Sequence, residues 1–342
     1  MIGVSLRPFA ACLALSILIS ACGGSEDSAQ SRLVTIGSNP AGTHVYAVAA
    51  GLARVLQENG GIRTTIRPFS GSSVYLPLMQ RGEIGLGLNT SIDSYLSFTG
   101  SPPYDAPMSN LRMVAMIFPL PIMYMVRADS ELRRVEDLRG RDVVIAFRAN
   151  AALEQLHTGI LATGGLTPQD VNPVVVAGLP EAMRMLTEGR ADAVPTGLNT
   201  ALALQVNATL PGGIRYLTMG ADEARLPEIM PGALAVTIAP EDGDVGIAEP
   251  IRVAGVNDLL NTSVAMSADR IYIITRTIVE SWDELRRDHA QISETTIQEA
   301  IPSEIVHPYH AGAVRYYREA GFWSPAHQRN QDRLLDALGV SQ

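Results

Sequence analysis

Several short stretches of this chain carry groups that hold a ligand by hydrogen bonds, with few groups that could attack one. Gly37-Ser38-Asn39-Pro40-Ala41-Gly42-Thr43 mixes hydroxyl, carboxamide and glycine and runs into an apolar, helix-periodic segment. Free backbone amides at a helix start favour an anionic group; a plain turn capped by Thr43 would use the same residues. Ser70-Gly71-Ser72-Ser73 offers hydroxyls and amides at a second helix start, for a ligand or for capping alone. Asn89, followed by Thr90, and Asn199 could each donate and accept toward a ligand, or simply make a turn. Arg148 stands just before a helix start. There its guanidinium could hold a carboxylate through two parallel hydrogen bonds, or lie in solvent or against a neighbouring acid. Asn150 suits a helix cap as well as a ligand. If Arg148 binds a carboxylate, Arg148→Ala costs at least about 2 kcal/mol of affinity, the scale of a lost buried charged contact.

Catalytic patterns are weak. Phe69-Ser70-Gly71-Ser72-Ser73 lacks the second glycine of a nucleophile elbow. No zinc spacing and no phosphate-cradling Walker loop occurs. His307 and His310 are three apart, which could suit a metal, but no third ligand is near in sequence and packing at a helix start accounts for them. Glu181 and Glu188 read as a solvated helix face, and Tyr46 as buried in its helix. Tyr124 follows Pro119–Pro121, a candidate hinge. No catalytic residue, cofactor or metal is expected, and the chain does not read as an enzyme.

A duplicated unit positions these groups. In the first copy Leu33–Ile36 reads as a strand, 37–43 as a loop, and His44 to Glu58 as an amphipathic helix. Ile62–Pro68 is a second strand, 70–73 a loop leading to a short helix ending near Arg81, and Ile84–Leu88 a third strand. About 110 residues later the order repeats: strand Asp142–Phe147, loop 148–150, helix Ala151–Thr163, strand Val174–Ala177, loop 178–180, a short helix to Glu188, and strand Ala191–Pro195. Both copies close on Gly-Leu-Asn-Thr, at 87–90 and 197–200. Alternating strands and helices give parallel sheets covered on both faces. Ligands of such sheets bind beyond the carboxyl ends of the strands, where the polar loops fall. Two α/β lobes turning those edges together would make a cleft. Leu111–Val126 should hold the crossing strands, and Ala233–Ile238 and Ile251–Val264 are strands, the latter interrupted near Asn257. Ser267 caps a helix through about Glu280, and two or three more helices follow.

The N-terminus reads as an export signal. Arg7 precedes an apolar run from Phe9 to Ile19, too short to span a membrane, where ~20 residues are needed. Ile19-Ser20-Ala21-Cys22 resembles the lipobox of bacterial lipoproteins, which implies lipidation of Cys22, a tether over 23–31 and an extracytoplasmic, lipid-anchored protein. Cys12 and Cys22 are the only cysteines, so the mature body has no thiol for a disulfide or a nucleophile. All 26 basic residues are arginine and the net charge is −9, a poor match for nucleic acid.

Three segments, VTIGSNPAGTHVYAVAAGLARVL, LMQRGEIGLGL and VHPYHAGAVRYYREAGFW, together resemble the TAXI receptors, solute-binding subunits of tripartite ATP-independent periplasmic (TRAP) transporters. The resemblance covers about 32–325. It implies a two-lobed periplasmic-binding-protein fold of the type II-like, Venus flytrap kind, with a hinge and an interlobe cleft. Lobe 1 is expected over 32–120 and 232–342, and lobe 2 over 121–231. It further implies a monomer that captures a small solute, a carboxylate such as an amino or organic acid, and delivers it to TRAP membrane permease subunits. A periplasmic sensing module for a signalling protein, or a secreted enzyme on the same fold, are the alternatives. His44 and Val45 stand where the family has aromatic residues, and Phe147-Arg148-Ala149-Asn150 where it has a small hydroxylated loop.

Overall fold

The computed structural model describes residues 33–241, 244–290 and 292–339. The expected signal, the tether and Cys22 lie outside the described residues. Chain order opens with β1 (Leu33–Ser38), α1 (His44–Glu58), β2 (Arg63–Pro68), α2 (Ser72–Gln80), β3 (Leu86–Thr90) and α3 (Ser91–Thr99). The long strand β4 (Leu111–Arg127) leads to β5 (Asp142–Phe147), α4 (Ala151–Thr163), β6 (Asn172–Val176), α5 (Leu179–Thr187), β7 (Ala193–Gly197) and α6 (Ala201–Thr209). β8 (Ile214–Tyr216), α7 (Leu226–Ile229), β9 (Ala233–Ile238) and β10 (Ile251–Ser263) follow, then α8 (Ala268–Glu280), α9 (Trp282–Asp288), α10 (Ala311–Glu319) and α11 (Pro325–Ala337).

Local sequence explains the helices. In α1 the residues Val45, Val48, Ala49, Leu52, Val55 and Leu56 recur at three- and four-residue spacing and are buried along one face. Thr43 ends the preceding loop in extended backbone, and its Oγ1 accepts from the Tyr46 amide at 3.2 Å. Asn150, Thr200 and Ser267 cap α4, α6 and α8 in the same way.

Both copies of the duplicated unit are parallel: β1 pairs β2 and β3, and β5 pairs β6 and β7. One continuous sheet runs β2-β1-β3-β10-β4-β7-β5-β6, with β8 also on β4 and β9 also on β10. β4 and β10 are antiparallel to each other and belong to both halves. β10 meets β3 through Asp258–Thr262 and β9 through Ile251–Val256. β4 meets β7 only from Ile122 onward. A 17-residue strand reaches about 55 Å at about 3.3 Å per residue, enough to traverse both halves. Pro119 and Pro121 fall just before β7 begins to pair. There β4 has a strand neighbour only on the β10 side, so a missing amide costs no ladder bond on the other.

Three expectations shift. The third strand of each copy starts two residues later than its apolar run suggests, at Leu86 and Ala193, because the turns through Gly82 and Gly189 take up the intervening residues. The second strand of the second copy starts two residues earlier, at Asn172. β10 is not interrupted near Asn257. It runs through and instead shifts register against β4 between Asp258 and Leu259, and again between Leu260 and Asn261.

Candidate functional site

The strand tips of the two halves meet. The Cβ of any side chain at position 71 would sit 2.1 Å from the Ala149 carbonyl oxygen, so only glycine lets loop 70–73 close on loop 148–150. The Ala151 amide donates to Ser73 Oγ at 3.1 Å across the same junction. Gly42, at φ +89°, presents its carbonyl to the Leu202 amide. Loops 37–43 and 148–150 thus share one buried cavity of about 50 Å³, lined from both halves.

Five helices begin at its wall, at Thr43, Thr90, Asn150, Leu179 and Thr200. Their first-turn amides and dipoles make the wall partly positive. Opposite charge comes from two buried acids, Asp93 and Asp258, and among the described residues no arginine lines the cavity. Asp93 is fully engaged: Ser72 Oγ donates to it at 2.7 Å, Thr90 Oγ1 at 2.9 Å and the Thr90 amide at 3.2 Å. Burial pushes its carboxyl above the ordinary range despite these bonds.

Asp258 differs. It is fully buried and neither carboxylate oxygen has a partner. Burial first, and then the Asp93 charge, push its carboxyl well above the ordinary range. The cavity also gathers other polar atoms that lack a partner: Asn39 Oδ1, His44 Nε2, His157 Nε2 and Thr196 Oγ1. Nearly all buried polar groups of folded proteins are bonded, so a cluster of exceptions around one cavity marks a place for a guest. His157 Nδ1 lies 3.0 Å from the Ile145 carbonyl, so that nitrogen carries the proton and Nε2 is a bare acceptor facing the cavity. Burial holds His157 at about 4 and lowers His44 too, so both rings are neutral at pH 7.

Of the residues expected from sequence, Asn39, Thr43, Asn89, Thr90 and Asn150 line this cavity. Asn89 is already bonded to Thr90, Ser94 and Asn261. Ser70 and Gly71 line a smaller adjoining hollow of about 20 Å³ with Asn39 and Asn150. Ser72 supports Asp93, and Ser73 ties the two halves, so both act beside the cavity. Ser38 is buried at the end of β1, and Gly42 packs against Leu202; neither lines the cavity.

Two expected residues lie outside the cavity. Arg148 is exposed and borders an outer hollow with Tyr104, Asp105 and Met108. The chain turns sharply between β5 and α4, which carries position 148 past the rim while Asn150 folds inward. Asn199 takes left-handed backbone, φ 53°, and its side chain is spent on Asp244 and the Val245 amide; it is a turn residue. His307 and His310 hold Asn261, Met266 and Gly312, and among the described residues no cluster could hold a metal.

Sequence reasoning missed His44, Asp93, His157, Thr196 and Asp258. One signal was visible: a lone acid inside IRVAGVNDLLNTS, a central strand where a charge has no structural use. A larger hollow of about 770 Å³ lies between α8, α10 and α11, well away from the strand tips. Size alone favours it; the unpartnered acceptors favour the smaller cavity, and those carry the chemistry.

The sequence matches the NMT1-like family over residues 36–321. Among solved structures the fold is similar to the periplasmic binding protein BugD, with TM-score 0.56 and 13% identity over 91% of this chain and 98% of that one. It is similar to a periplasmic transporter, with TM-score 0.55 and 12% identity over 89% and 97%. It is also similar to the alkanesulfonate-binding protein SsuA from Xanthomonas axonopodis pv. citri bound to MOPS, with TM-score 0.50 and 18% identity over 91% and 98%. Matched over most of its length and folded as two α/β lobes around long shared strands, the chain belongs to the NMT1-like family and has the fold of periplasmic solute-binding proteins.

Proposed function

We propose that this protein captures a small carboxylated solute outside the cytoplasm by lobe closure and hands it to a TRAP-type membrane permease. The observation that carries the reading is the convergence of five helix starts and a set of unpartnered polar atoms, contributed by both halves, on one buried cavity. A carboxylate would lie against the helix-start amides of His44 and Val45 rather than on Arg148. About 50 Å³ holds only a few waters, so a solute would enter with the lobes apart and be enclosed as they shut.

The shared strands β4 and β10 are the natural hinge, bending near Pro119–Pro121 and Asp258. The lobes would be 32–120 with 232–342, and 121–231. β9, although inside 232–342, would depart from that division and move with the second, because it pairs with the stretch of β10 that lies beside that half. A solute can favour the closed form only by its differential affinity for it. The permease partner is supported by the three sequence segments that resemble TRAP receptors. The anchor is supported by the lipobox-like Cys22.

Mass spectrometry of small molecules released on denaturing the purified protein tests the solute class, and X-ray scattering with and without that solute tests closure. Release of a carboxylate and a smaller radius of gyration on adding it back are expected. A protein that releases nothing, and whose scattering and melting temperature ignore every carboxylate offered, is not this receptor. Ion-gradient-driven, ATP-independent uptake into vesicles carrying the cognate permease tests the partner.

A further inference from the structure

The walls of the cavity are unbalanced in hydrogen-bonding kind. His157 Nε2, Asn39 Oδ1 and, when ionised, both oxygens of Asp258 are acceptors with nothing to accept, and Thr196 Oγ1 can act either way. Among the described residues no arginine lines the cavity, although the whole sequence has 26. Asp93, the other acid, is saturated by Ser72 and Thr90 and caps α3. Among the described residues Asp258 is therefore the one lining carboxylate left without a partner. It sits in β10 directly before a register shift against β4, and a bulge of that kind re-aims a side chain. A lone carboxylate in a closed, water-poor cavity is costly unless a cation or several donors join it. Among the described residues none joins it, so without ligand burial favours the neutral carboxyl, and a guest that brings a cation would stabilise the charged form.

We infer that Asp258 receives a protonated amino group of the solute, which makes the solute an amino acid rather than a plain organic acid. An ammonium brings three donors, matching the acceptor excess of Asp258, His157 and Asn39, and a full positive charge beside two acids. The carboxylate of the same molecule lies against the helix starts. The inference rests on the solute-receptor reading and narrows it.

Matched probes separate the two. L-alanine and propionate, L-leucine and 4-methylpentanoate, and L-glutamate and glutarate differ within each pair only in the amino group. Each is titrated calorimetrically into ligand-stripped protein and into the isosteric Asp258→Asn variant. Binding of at least one amino acid, a hundredfold or more tighter than its deaminated partner, with most of that preference lost in the variant, is expected. Equal binding within every pair, or a variant that keeps the preference, overturns the inference while leaving the receptor reading intact. If no probe of either kind binds and the purified protein releases no small molecule, both fall. A variant too unstable to titrate leaves the pairwise comparison on the native protein to decide, together with the solute released on denaturation: one without a basic nitrogen overturns the inference.

Discussion

Two buried acids face one cavity, and their surroundings give them different tasks. Asp93 is held by the Ser72 and Thr90 hydroxyls and the Thr90 amide, and closes the first turn of α3. Asp258 has no such support, and its carboxyl is pushed well up by burial and by Asp93. The linkage sign follows. A carboxyl whose folded-state pKa lies above its unfolded value binds a proton more readily when folded, so folding stability falls as pH rises from about 4 toward the raised value. Asp258→Asn removes that fall. Without ligand, the variant should melt a few degrees above the native protein at pH 7, at about 2–4 °C per kcal/mol for larger chains, and the gap should close near pH 4. Differential scanning fluorimetry across that range checks this, and a gap independent of pH would refute it. For Arg148 the expectation reverses. Exposed outside the cavity, Arg148→Ala should change solute affinity by less than about 0.5 kcal/mol in calorimetry.

At the scale of elements, the loops at the strand tips would act as a latch in the proposed closure. Ser73 accepts from the Ala151 amide, Gly42 from the Leu202 amide, and Gly71 leaves room for the Ala149 carbonyl. These contacts join segments of different halves and exist only while the halves are together. Gly71→Val places a Cβ where it would lie 2.1 Å from that carbonyl. The position is extended, so backbone strain is not the issue. The variant should fold with an unchanged ligand-free melting temperature, bind solute at least tenfold more weakly, and show no compaction in X-ray scattering when solute is added. Compaction equal to that of the native protein would show that the latch is not a closure contact.

For the whole molecule, acid sensitivity is set by histidines buried in neutral form. Burial holds His157 at about 4, His307 at about 3 and His310 at about 4. Each takes up a proton near 6.5 when unfolded. The unfolded chain therefore binds more protons between 6.5 and 4. The stability these groups contribute is complete above pH 6.5 and is lost as pH falls through that window. Each missing proton contributes about 1.4 kcal/mol per pH unit and the group of three about 4 kcal/mol per unit at its steepest, partly offset by the raised carboxyls of Asp258 and Asp93, which act in the opposite sense. Urea midpoints at pH 7, 6 and 5 should fall accordingly, and His157→Gln should lessen the slope by about 1.4 kcal/mol per pH unit at its steepest. A flat profile would contradict the burial of these rings.

What the sequence decided by itself is local or periodic. The bounds of α1, α4 and α8 and of β5 and β9 follow from apolar spacing, caps and flanking turns, all set by neighbours within a few residues. The repeated strand–helix order and the shared Gly-Leu-Asn-Thr endings likewise foretold two similar halves with their polar loops at the strand tips. The site was legible only in part. Asn39, Thr43 and Asn150 were visible because each also caps or precedes a helix. Asp258, His157 and Thr196 were not, because nothing nearby in the chain marks them: Asp258 meets the cavity through a register shift in β10, and Asp93, the acid paired with it across the cavity wall, is 165 positions away. Arg148 lies outside the cavity for the same reason. Its neighbours in sequence place it at a strand tip, but the direction of its side chain is fixed by how β5 turns into α4 and by which loop of the other half arrives opposite. Charge type fixed what each group could hold; only long-range packing fixed what it faces.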